Sequence, residues 1–146
     1  MDHLPPPPGR LARLPAVELA GGHVVHRAEG HRARGLGLMG LAALGPGRAL
    51  LLPSTRSVHT VGMRFALDLV WLDAAGVVVR IDRDVAPGRL RSCRRARAVL
   101  ECVAGHGQAL ATSWRDRDDA AGVASGTSTR LYSPTLHELH DSKRRA

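Results

Sequence analysis

The alternation of apolar and polar positions predicts a series of short strands with one weak helix among them. Residues 17–26 read as two strands around Gly21-Gly22, because paired glycines supply the positive φ angles of a tight hairpin. Residues 28–40 place Ala33, Leu36 and Met39 or Gly40 at helical spacing, but four glycines interrupt them, so the predicted helix is short. Gly45-Pro46-Gly47 is a turn, and residues 49–52 form an apolar strand stopped by Pro53.

The strongest pattern lies at residues 65–72. Phe65, Leu67, Leu69 and Trp71 take one face of an extended chain; Ala66, Val70 and Leu72 take the other. A strand apolar on both faces is central and covered on both sides. Residues 73–76 (DAAG) make a turn, residues 77–82 return as a hairpin partner, and residues 97–103 supply another strand ending at Gly105. The sum is a mainly β domain, α+β at the margin: a compact sandwich or barrel-like unit with one short helix.

Length agrees with this. The chain has 146 residues, 44% of them hydrophobic, enough for one domain with a real core. The pattern divides it into a proline-rich, disordered leader at 1–15, a single β-rich domain at 16–112, and a polar, mostly disordered tail at 113–146. Pro5 to Pro8 favour a stiff polyproline II leader. That leader has no apolar stretch of the kind a secretory signal carries, so the expected location is the cytoplasm. No apolar run is long enough to suggest a transmembrane segment. In the tail, one short helix is expected near residues 135–143. His137 and His140 share a face there, without the HExxH order of a zinc hydrolase.

Charge changes the picture in one place. The net charge is +8, and residues 17–112 hold most of it, with thirteen arginines against seven acids. Arg89, Arg91, Arg94, Arg95 and Arg97 crowd nine positions as a basic patch. Such a field attracts polyanions, including nucleic acid, or an acidic partner. Only four aromatic residues are present, so the stacking platforms of a single-strand binder are missing. Cys93 and Cys102 do not make a zinc site, and without a secretion signal they are not expected to pair; Cys102 reads as core and Cys93 as a loop thiol among arginines.

The candidate chemistry clusters around the central strand. Asp68 shares the Ala66–Val70–Leu72 face, so it must find partners once buried. Arg64 lies four residues back on the same face, and backbone N–H groups are the alternative. Just upstream, residues 57–64 (SVHTVGMR) set His59, Thr60, Met63 and Arg64 beside the buried strand. Glu101 alternates with Val99 and Val103 and is a further candidate for the same cavity. His59, Asp68 and Glu101 could then converge as a histidine–carboxylate constellation. No P-loop, GxGxxG, GxSxG or CxxC motif is present, and no metal site or cofactor is indicated.

The stretch SVHTVGMRFALDLVWLD, residues 57–73, resembles the signature of the domain-of-unknown-function 192 family. RARGLGLMG (32–40) is similar to that family's arginine-rich helix, and RARAVLE (95–101) followed by Gly105 extends the likeness over roughly residues 17–111. The resemblance implies a compact β-rich domain with a short helix, and it brings no catalytic roles with it. The leading reading is a small-molecule or anion-binding accessory protein whose polar pocket is formed by His59, Thr60, Met63, Arg64, Asp68 and Glu101, Arg64 favouring a small anionic ligand. One alternative is a metal-assisted or acid–base hydrolase using His59 and Asp68. Another is a basic interaction module binding nucleic acid or an acidic partner.

Overall fold

The computed structural model describes residues 4–124, with side chains described throughout except at 31–33 and 118–124. In chain order the elements are β1 (Ala16–Glu18), β2 (Val24–Arg27), α1 (Gly30–Leu36), β3 (Arg48–Pro53), β4 (Ser57–His59), β5 (Leu67–Leu72), β6 (Val78–Val85), β7 (Leu90–Ser92), β8 (Ala98–Val103) and α2 (Gly107–Ala124). The fold is mainly β. Six strands form one sheet in the order β1-β2-β3-β8-β5-β6, and β4 and β7 form a small second sheet. The large sheet does not close into a barrel.

Two hairpins form where the turn residues require them. β1 pairs antiparallel with β2 across Gly21 and Gly22, both at positive φ. β5 pairs antiparallel with β6 across a turn whose Gly76 has φ +78° and whose Asp73 Oδ1 accepts the N–H groups of Ala75 and Val77. One pairing had no signal in the local pattern. β2 and β3 run parallel, so α1 and the loop after it are the crossover between them. β8, late in the chain, inserts between β3 and β5 and is antiparallel to both.

All six residues of β5 are buried, as a strand apolar on both faces demands. Antiparallel partners share a face, so the register sorts the core into two layers. On one face Leu50, Leu52, Leu67, Leu69, Trp71 and Val99 pack with Val58 of the small sheet and with Leu38, Leu41 and Leu44 of the loop after α1. On the other, Ala49, Val70, Leu72, Leu100 and Cys102 pack with Leu110, Ala111 and Trp114 of α2.

Both ends of the domain extend beyond the limits expected from sequence. The boundary at residue 112 falls inside α2, whose Trp114 is buried and donates its indole N–H to the Gly76 carbonyl at 2.9 Å. Ser113 Oγ lies 2.9 Å from His23 Nδ1, tying the same helix to the β1–β2 turn. Trp114 is a lone aromatic in a charge-rich stretch, so its burial has little local signal. At the other end, Gly9–Arg13 forms a 3-10 turn with Leu11 completely buried, and Arg48 donates to the Pro5 carbonyl. The expected helix at 135–143, with His137 and His140, lies outside the described residues.

Candidate functional site

Asp68 is 2% exposed and, among the described residues, is held by backbone groups. Its Oδ1 accepts the Asp84 N–H at 2.8 Å; its Oδ2 accepts those of Gly105 at 3.0 Å and Gly107 at 2.8 Å. The first of these donors comes from a β-bulge. Leu67 pairs with Val85 and Leu69 with Asp82, so two residues of β6 oppose Asp68 alone, and Asp84 takes φ +52° there. Arg64 is exposed and is not the partner. Asp68 pairs in register with Cys102, whereas Glu101 pairs with Leu50 and Leu69. Asp68 therefore lies on the α2 face of the sheet and Glu101 on the opposite face. The convergence of His59, Asp68 and Glu101 does not form, because successive residues along β8 point to opposite sides.

His59 and Glu101 do meet at one pocket. It encloses about 150 Å³ between the loop after α1 and the small sheet. Leu52 and Glu101 contribute from the large sheet, Ser57, Val58 and His59 from β4, and Met63 from the loop that follows. Arg34 and residues 35–39 supply the remaining wall together with Thr55. His59 is exposed at the rim, and Met63 is 8% exposed. Thr60 faces away from this pocket. It is 1% exposed, donates its hydroxyl to the Ala86 carbonyl at 2.7 Å and accepts the Arg89 N–H at 2.8 Å, pinning the 86–89 loop.

Glu101 is the unusual group. It is 4% exposed, and its Oε2 has no hydrogen-bond partner among the described residues. Burial pushes its carboxyl up to about 7, and a hydrogen bond from the Leu38 backbone pulls the other way. Gly37, at φ +49°, lies directly against it: a β carbon there would stand 3.1 Å from Oε2. Glycine is required on both counts, its left-handed backbone and its closeness to the carboxyl. Gly62, at φ +79°, has a similar role farther from the carboxyl, where a β carbon would meet Met39 Cγ and Sδ at 2.9 Å. Gly37 and Gly62 thus let the loop after α1 settle over the sheet.

The loop is also held from outside. Arg10 Nη2 donates to the carbonyls of Gly37 and Met39, each at 2.7 Å. Arg10, Arg34 and the Gly37–Leu38 peptide are the components of the site that residue-by-residue reading missed. The glycine interrupting a helical pattern at 37 was their one local signal.

The basic residues stand apart from the pocket's interior. Arg89, Arg94 and Arg95 are exposed, Arg91 is half-buried, and Arg97 donates to the carbonyls of Arg94 and Ala96. Cys93, expected as a loop thiol, is buried, as is Cys102; burial and the nearby Asp68 and Glu101 carboxyls push the Cys102 thiol up to about 12. Among the described residues no group of three or more His, Cys, Asp or Glu is arranged to hold a metal ion, and no helix is long and apolar enough to cross a membrane.

Two solved structures share the fold. One is a protein provisionally named a transcription regulator from Sinorhizobium meliloti 1021, 24% identical with a TM-score of 0.54; the match covers 65% of this chain and 82% of that one. The other is a protein of unknown function from Novosphingobium aromaticivorans DSM 12444, 21% identical with a TM-score of 0.53, covering 65% and 75%. Comparison with curated proteins gives no match. The family model DUF192, described as Uncharacterized ACR, COG1430, matches residues 18–117. That span takes in the large sheet from β2 onward, the pocket and the docked turns of α2, and the chain belongs to the DUF192 family.

Proposed function

We propose that this domain binds a compact polar molecule in the pocket between the loop after α1 and the small sheet, and serves as a ligand-binding accessory protein. The observation that carries the reading is the Glu101 carboxyl, buried at the pocket with an oxygen that no group among the described residues satisfies. A buried polar atom without a partner costs about 1–3 kcal/mol, and a ligand hydroxyl would recover some of that. A cavity of about 150 Å³ accepts a molecule the size of benzene, so the ligand has about six heavy atoms. Arg34 and His59 on the wall favour an anionic end on that molecule. A small hydroxy acid satisfies all three conditions, with its hydroxyl on Glu101 and its carboxylate toward Arg34 and His59. Arg64, exposed and outside the lining, does not belong to this arrangement.

The test is a backbone-amide NMR titration of the full chain with lactate and glycolate, with 1,2-propanediol as the neutral comparison. Saturable shifts at Gly37, Leu38 and His59 with the acids, weakened about tenfold in Glu101→Gln, are the expected result. Shifts that do not saturate, or that persist unchanged in both Glu101→Gln and His59→Ala, would overturn it.

An acid–base enzyme is the second reading, and one observation favours it. A carboxyl held near 7 can both give and take a proton at neutral pH. In that reading Glu101, rather than Asp68, works with His59. The basic strip along β7 offers a third surface, for an acidic or nucleic-acid partner, and steep loss of binding with added salt would be its signature.

A further inference from the structure

The Gly37–Leu38 peptide has an ionisable side chain at each end. Its carbonyl accepts from Arg10 at 2.7 Å, and its N–H serves the Glu101 carboxyl. In a trans peptide the C=O and N–H point in opposite directions, so one planar unit joins a cation outside the loop to a carboxyl inside it. A cation on the carbonyl draws electron density from the nitrogen and strengthens the N–H as a donor. The same Arg10 nitrogen also holds the Met39 carbonyl, so the loop is gripped on both sides of Leu38. Leu38 itself is 1% exposed, which anchors the peptide against rotation.

We propose that Arg10 is a positioning residue for Glu101, acting through the single Gly37–Leu38 peptide, so that the segment ahead of β1 is a working component of the pocket. This rests on the reading of Glu101 as the pocket's buried polar group, but it requires no ligand. Arg10 is not among the residues that line the pocket. Its effect is on the strength and direction of one hydrogen bond. Weakening that bond lessens the influence that lowers the Glu101 pKa against burial.

The experiment follows the Glu101 carboxyl carbon by NMR through a pH titration of the full chain, with the Leu38 amide shift recorded alongside. Arg10→Met removes the charge and keeps the apolar stem; Arg10→Lys keeps the charge without the planar fork that reaches two carbonyls. Arg13→Met, on the same turn, is the control. Arg10→Met should raise the Glu101 midpoint and shift the Leu38 amide. Arg10→Lys should fall between it and the parent, and Arg13→Met should match the parent. If folded Arg10→Met, or Arg10→Lys should the first not fold, leaves both signals at parental values, the inference is wrong. A moved titration with no hydroxy-acid binding would sink the ligand reading alone; binding with an unmoved titration would sink this one alone.

Discussion

Gly107 gives its backbone N–H to Asp68 Oδ2 at 2.8 Å, and a β carbon at Gly107 would lie 2.7 Å from Asp68 Cβ. The first turn of α2 is thereby locked to the middle of the sheet by a carboxylate that accepts three backbone N–H groups. Asp68→Asn would turn an amide N–H₂ toward one or more of those donors. The expected loss is about 3 kcal/mol of stability, read by urea denaturation. Gly107→Ala should also destabilise, because neither the helix start nor β5 has room to give. An Asp68→Asn variant as stable as the parent would show that the three-donor cradle is not maintained in solution.

Glu101 predicts a pH dependence of the opposite sign to most carboxylates. In the folded chain it keeps its proton to about pH 7, while its ordinary value is 4.5. Between those limits the native state binds more protons than the unfolded state, so stability falls as the pH rises. The group's contribution is complete below about 4.5 and lost through 7, roughly 3 kcal/mol in all. Glu101→Gln should flatten this region of the stability profile and be more stable than the parent at pH 8.

His59 is exposed at the pocket rim, so its removal should separate binding from folding. His59→Ala should unfold within about 0.5 kcal/mol of the parent and yet weaken the lactate-induced shifts. A large stability loss would place the ring in a structural role.

Trp114 tests where the domain ends. A chain stopped after residue 112 loses the indole that fills the α2 side of the core and the hydrogen bond to Gly76. It should lose cooperative unfolding, and Trp114→Ala in the full chain should cost about 3–5 kcal/mol. Cooperative melting of the shortened chain at the parental temperature would restore the boundary at 112.

Cys93 and Cys102 are 6% and 1% exposed. Neither should react with a thiol reagent in the folded protein at neutral pH within minutes, and both should react once it is unfolded. Fast labelling of Cys93 would mean that its loop opens readily.

The periodicity of residues 65–72 and the glycines at 21–22 and 76 were enough to define β5, its hairpin with β6 and the hairpin of β1 with β2. These are local matters: alternation sets a strand's faces, and a left-handed turn residue sets its reversal. Residues 57–73 also carried the family likeness that the family match bears out. The parallel β2–β3 pair and the insertion of β8 between β3 and β5 left no local trace, since partners distant in the chain are chosen by how the whole core closes. The site divides the same way. That Asp68 needed partners was legible from its apolar neighbours, but its donors at 84, 105 and 107 come from a bulge and a helix start that only the folded sheet brings beside it. Glu101 and Asp68 looked like one cavity's residues; the strand pairing sent them to opposite faces, because a period of two leaves no choice once the register is set. Local pattern was sufficient to say that the residues of β5, Asp68 included, had to be buried. Long-range pairing then governed which buried polar group was satisfied and which, at Glu101, was left facing a pocket.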